Sequence, residues 1–244
     1  MSGEAGVERI NGVAVARSIP LRGLQRTVAQ RLLAGARETA AVTAMAEVDA
    51  GRLLASVRRL RETIPALSLT HLLIQAVARC LRRHPRLNAT LLDETIHELA
   101  EVNIAVALAL PSDDLAVGVI RAADEKPLVR IASDLAGVQE RAAAGRSRLE
   151  DVRGGTFTLS NYGALRHVVW ATPIITPGQV AVLGVGRATP RVVPDDSPAG
   201  WSTRPVLPLS LTYDHRVVNG LPVGRFLDDL ADHLETDDWT EATE

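Results

Sequence analysis

Six short β-prone runs are interspersed with five stretches of helical apolar periodicity, and that mixture constrains the fold more than any other feature. The runs cover 43–48, 102–110, 115–120, 156–159, 180–185 and 206–212. The expected helices are equally distinct. Leu24, Val28, Leu32 and Leu33 recur at helical spacing from Leu21, with Gly35 as the expected stop. Asp49 is the expected N-cap of a helix over 52–61 that ends at Ile64-Pro65. A third helix starts at Ser68 or Thr70 and stops before Pro85. A fourth fills 127–146, and a fifth, over 222–234, sets Val223, Phe226, Leu227, Leu230 and Leu234 on one face. Pro111-Ser112-Asp113-Asp114 reads as a turn and 194–200 as a hairpin-like loop. No internal repeat and no linker splits the 244 residues, so the expectation is one α/β domain.

Composition excludes several classes of function. The 27 basic and 29 acidic residues give a formal charge of −2, without the electrostatic footprint of a nucleic-acid binder. At 3 % aromatic residues the chain lacks base-stacking platforms as well. The single cysteine, Cys80, makes no intrachain disulfide, and the first twenty residues, with Glu4 and Glu8, do not read as a secretory signal. Pro173, Pro177, Gly178 and Gln179 break the richest apolar segment, so no membrane span is expected. These features predict a soluble, cytoplasmic protein. Lysine occurs once, as Lys126 before Pro127, which is not the exposed hairpin lysine that a covalent lipoyl arm needs. Neither a lipoyl group nor a metal is expected.

The most informative stretch is Asp214-His215-Arg216-Val217-Val218-Asn219-Gly220, at the end of the last β-prone run. A histidine between a carboxylate and a guanidinium suits a general base, since imidazole exchanges protons near neutral pH. A solvated charge cluster on a surface turn is the alternative.

That stretch resembles the active-site motif of the dihydrolipoyl acyltransferases, the catalytic cores of 2-oxo acid dehydrogenase complexes. More loosely it resembles an element shared with chloramphenicol acetyltransferase. The resemblance extends along the chain through Ile19-Pro20-Leu21-Arg22-Gly23-Leu24, the segment 69–89, Asn103-Ile104-Ala105-Val106-Ala107 and, most specifically, Gly154-Gly155-Thr156-Phe157-Thr158-Leu159-Ser160-Asn161-Tyr162-Gly163 with Thr172-Pro173-Ile174-Ile175. It implies a chloramphenicol-acetyltransferase-like two-layer sandwich, a mixed sheet with helices, forming trimers with active sites between subunits. It also implies that His215 is the general base and Ser160 the oxyanion donor. Asn219 stands where aspartate is commoner and suits an orienting hydrogen bond. Gly118 stands where proline is common, and with Tyr162 and Trp170 it is expected to reshape the acceptor side of the channel.

The resemblance divides the chain into an N-terminal extended arm (1–18), a catalytic domain (19–236) and a C-terminal tail (237–244). Read as a stand-alone domain, it is expected to be an O-acetyltransferase that moves acetyl from acetyl-CoA to the hydroxyl of a small natural-product intermediate, free or carrier-protein-bound. A hydroxymethyl tetronate is the candidate acceptor. The alternatives are a dihydrolipoamide acyltransferase core and a catalytically idle scaffold trimer.

Overall fold

The computed structural model describes residues 8–110, 115–236 and 239. The turn expected at 111–114 and the tail beyond residue 236 lie outside it, except for Trp239, which is buried beside His233. Residues read as an extended arm contain a small hairpin, β1 (Arg9–Ile10) and β2 (Val13–Ala14). Its turn is Asn11-Gly12, a pair that takes positive φ at both positions with little strain.

Next comes α1 (Gly23–Glu38), which runs three residues beyond Gly35. That glycine is a contact point and not a stop, because a Cβ there would lie 2.1 Å from the Ile175 carbonyl oxygen. β3 (Ala41–Asp49), α2 (Gly51–Leu60) and α3 (Leu69–Leu81) follow. Asp49 sits one position before the cap residue, and its carboxylate accepts the Gly51 N–H at 2.8 Å. Ser68 caps α3, its N–H donating to Nδ1 of the buried His71 at 2.8 Å. Burial pushes that imidazole below its ordinary pKa, and a neutral ring can accept such a bond. An unexpected hairpin, β4 (Ala89–Leu92) and β5 (Thr95–Glu98), turns at Asp93 and Glu94, both at positive φ. The chain then forms β6 (Ile104–Ala109), β7 (Leu115–Ile120), α4 (Leu128–Ala143), α5 (Leu149–Val152), β8 (Phe157–Asn161), β9 (Ala181–Val185), β10 (Thr189–Pro194), β11 (Trp201–Asp214) and α6 (Gly220–Thr236).

Seven strands make one mixed sheet, running β7-β6-β8-β9-β11-β3, with β10 paired to the first residues of β11. β6, β8 and β9 are mutually parallel, and the remaining pairs are antiparallel. Strand alternation gives the sheet two unlike faces. One carries Val48, Leu207, Leu209, Leu211, Leu183, Val185, Leu159, Phe157, Ile104, Val106 and Ile120, all buried in a single hydrophobic core. α2, α3, α4 and α6 pack as a layer against that face. Burying each such side chain contributes about 1.5–3 kcal/mol relative to leaving it exposed. The helix-backed mixed sheet is therefore the one the sequence predicts. At its far edge Arg141 and Asp151 form a two-pronged ion pair at 2.6 and 2.8 Å, and the Arg141 hydrogen bonds hold the Asp151 carboxyl down to about 2. No helix among the described residues is long and apolar enough to cross a membrane.

Candidate active site

The opposite face of the sheet is polar at its centre. Register aligns Ser160 with Gly184 and Gly184 with Ser210, and one step along it aligns Thr158 with Val182 and Val182 with Thr212. The Thr212 and Thr43 hydroxyls bond across the β11–β3 pair at 2.8 Å. The chain between β8 and β9 lies over this centre, and glycines let it come close. A Cβ on Gly186 would sit 2.3 Å from the Val169 carbonyl oxygen, and one on Gly163 would sit 2.8 Å from that of Gly186. Ser160, on β8, is half-buried here.

His215 follows the last residue of β11 and is exposed, its ring tilted over that of Tyr213 with centroids 5.5 Å apart. Its backbone is tightly held. The His215 N–H donates to the Ala40 carbonyl at 2.9 Å, and the buried Asp214 carboxylate accepts the N–H groups of Ala40 (3.2 Å) and Arg216 (3.1 Å). Arg216 closes the bracket, with Nη2 2.6 Å from Asp214 and a further hydrogen bond to the Glu38 carbonyl at the end of α1. Burial alone would raise the Asp214 carboxyl, but the Arg216 side chain and the two N–H donors outweigh it and leave the group below its usual range. Asn219 is exposed one residue before α6, and its carbonyl accepts the Val223 N–H of the first turn.

A single chain does not bring these residues together. Ser160 is level with Ser210, two strands away, and His215 lies five residues further on, just past the end of β11. At about 3.3 Å per residue and 4.8 Å per strand, Ser160 and His215 are roughly 20 Å apart within one chain. His215 and Asn219 share one connection between β11 and α6. Gly118 belongs to neither place. It faces α4, where a Cβ would lie 2.4 Å from Val138 Cγ1, so glycine there serves helix packing and the expected effect on the channel falls away. A separate cleft of about 500 Å³ opens at the carboxyl ends of β6 and β8, lined by Leu54, Thr70, Val106, Asn161, Gly163 and Arg187 among others. Among the described residues, no group of three or more His, Cys, Asp or Glu side chains could hold a metal.

Residues 14–241 match the catalytic domain of the 2-oxoacid dehydrogenases acyltransferase family. The chain belongs to this family. A dihydrolipoyllysine-residue acetyltransferase component of the acetoin cleaving system of Bacillus subtilis is 32% identical over 225 residues, which is 90% of this chain and 56% of that protein. The chain spans about half the length of such relatives. The dihydrolipoamide acetyltransferase of Azotobacter vinelandii is similar in structure, with 28% identity, a TM-score of 0.87 and coverage of 95% of this chain and 97% of that one. One serine, one histidine and one asparagine of that enzyme have been investigated for their role in its catalytic mechanism. A cubic core of the pyruvate dehydrogenase multienzyme complex aligns with the same scores and coverage. Chloramphenicol acetyltransferase shares the fold alone, at 13% identity and TM-score 0.54 over 89% of this chain and 98% of that one. This member of the 2-oxoacid dehydrogenase acyltransferases is accordingly an acyltransferase by family, on a chloramphenicol-acetyltransferase-like fold.

Proposed function

We propose that the chain exchanges acyl groups between a dihydrolipoyl thiol and coenzyme A, at sites assembled between copies of itself in a trimer. The observation that carries the reading is the match of residues 14–241 to a catalytic domain whose relatives include dihydrolipoyllysine-residue acetyltransferases. The expected hydroxyl acceptor rests only on where the chain begins, which says nothing about the reaction. These relatives support a thiol acceptor better.

In the proposed mechanism His215 takes the proton of the CoA thiol as its sulfur attacks the carbonyl carbon of the acyl-dihydrolipoyl thioester. Ser160 donates a hydrogen bond to the oxyanion of the tetrahedral intermediate. Collapse breaks the carbon–sulfur bond to the dihydrolipoyl group, and that leaving sulfur recovers the proton from the imidazolium. Asn219 orients the site. The serine, histidine and asparagine probed in the Azotobacter enzyme match these residue types, and the histidine and asparagine stand four positions apart in both chains. That spacing supports reading Asn219 as part of the site. Arg187 and the start of α3 beside the cleft at the β6 and β8 ends suit the phosphates of CoA.

The roughly 20 Å between Ser160 and His215 in one chain argues that each site takes them from different copies. The test is to mix inactive Ser160→Ala and His215→Ala proteins under conditions that exchange subunits, assaying acetyl-CoA with dihydrolipoamide and, in parallel, with hydroxymethyl tetronates. Partial recovery of dihydrolipoamide acetylation is expected, because some mixed sites regain both residues. No recovery after verified exchange would overturn the composite site. Esters formed on the tetronates, with dihydrolipoamide inert, would replace the thiol reading by the hydroxyl one.

A further inference from the structure

Tyr162 stands two positions after Ser160 and points to the same face of the sheet. Its ring leans sideways over Gly184, where a Cβ would come 2.9 Å from Tyr162 Cε1. Because Gly184 is the residue between Ser160 and Ser210 in the transverse row, the ring fills the gap between the two serines. Its hydroxyl then ties three parts of the chain together. It bonds to the Ser210 hydroxyl of β11 at 3.1 Å and accepts the Ala171 N–H at 3.1 Å, while the Tyr162 N–H donates to Val185 of β9 at 3.0 Å. Ser210 is fully buried and committed to this contact, whereas Ser160 remains half-buried.

We infer that Tyr162 is a positioning residue for Ser160. It wedges the row of residues on which Ser160 sits and pins the segment 163–171 over it, so that the Ser160 hydroxyl keeps one direction while charge develops on the substrate oxygen. An oxyanion donor works by being aimed before the reaction starts, and a donor set on a loosely covered strand loses that advantage. The inference rests on the proposed role of Ser160.

The experiment is a double-mutant cycle on the full chain, with acetyl-CoA and dihydrolipoamide as substrates, using Tyr162→Phe, Ser160→Ala and the double variant. Tyr162→Phe keeps the ring over Gly184 and removes only the hydroxyl. A net hydrogen bond contributes enough for a drop of about three- to tenfold in kcat, with KM for acetyl-CoA unchanged within about twofold. In the Ser160→Ala background the same substitution is expected to change nothing further, because there is no donor left to aim. Equal drops in both backgrounds, or an effect confined to KM, would overturn the positioning role and leave the catalytic reading of Ser160 standing. Unaltered turnover in Ser160→Ala would remove that reading and this inference together. Should Tyr162→Phe not fold, Ser210→Ala removes the other half of the contact and runs through the same cycle with the same criteria.

Discussion

His215 and Ser160 are held by different physics. His215 hangs at the exposed end of β11 and is fixed from behind by charge. The Asp214 carboxylate is nearly sealed from solvent, with its side chain 3% exposed, and gathers backbone N–H groups while Arg216 fastens it to the end of α1. Ser160 has no charged neighbour in its row. Close packing fixes it, through glycines at 163, 184 and 186 that admit a tyrosine ring and a returning stretch of backbone. An ionic bracket depends on pH and on one long side chain, whereas a packed row depends on volume, so the two halves of the site should fail under different perturbations.

The largest effect is expected where chemistry is removed outright. His215→Ala should lower turnover by about 10²- to 10⁴-fold, and Ser160→Ala by about 10²- to 10³-fold, each with unchanged circular dichroism. Near wild-type turnover in either folded variant would remove that residue from the mechanism. A smaller effect, of a different kind, is expected on the His215 side from Arg216→Gln. Removing the guanidinium leaves the buried Asp214 carboxylate short of donors and should cost about 1–3 kcal/mol in denaturant unfolding. Tyr162→Phe, on the packed side, should stay within about 1.5 kcal/mol of wild type, so a larger loss there would erase the contrast. The smallest effect concerns pH. The Asp214 carboxyl lies below its usual range in the folded chain, so its contribution is fully present above about pH 4 and fades as pH falls further. The Tm difference between wild type and Arg216→Gln should therefore narrow as the pH drops below about 4. A difference that is constant down to about pH 2 would show that Arg216 acts through packing alone.

Long periodic segments were legible in the sequence because one face of each is committed to the core. α3, α4 and α6 begin and end within a few residues of where spacing and prolines place them, and β7 matches its expected bounds. The elements that the sequence pattern does not mark are those with little core to face. β10 (Thr189–Pro194) carries two prolines and, among the described residues, pairs only with β11, and the β4–β5 hairpin turns on Asp93 and Glu94 with no glycine to mark it. Gly35 is ambiguous in the sequence because a glycine needed for contact and a glycine that ends a helix look alike in one dimension. The motif around His215 was legible as words, but its distance from Ser160 was not, since that follows from strand register. Tyr162 stood out as a large ring near Ser160, yet its tie to Ser210 and Ala171 joins segments 48 and 9 residues away.

The position of β11 has a consequence for how this chain comes off the ribosome. β11 lies between β3 and β9, and the Thr43 hydroxyl meets that of Thr212 across 169 residues. Until residue 214 has been synthesised, β3 has no partner in the sheet and β9 shows an open aliphatic edge. Sheets closed by so distant a pairing form slowly, and unpaired edges recruit other chains. The nascent protein therefore passes through a stage that holds most of its helices and no finished sheet, and a polypeptide released before its last strand should meet its neighbours before it meets itself.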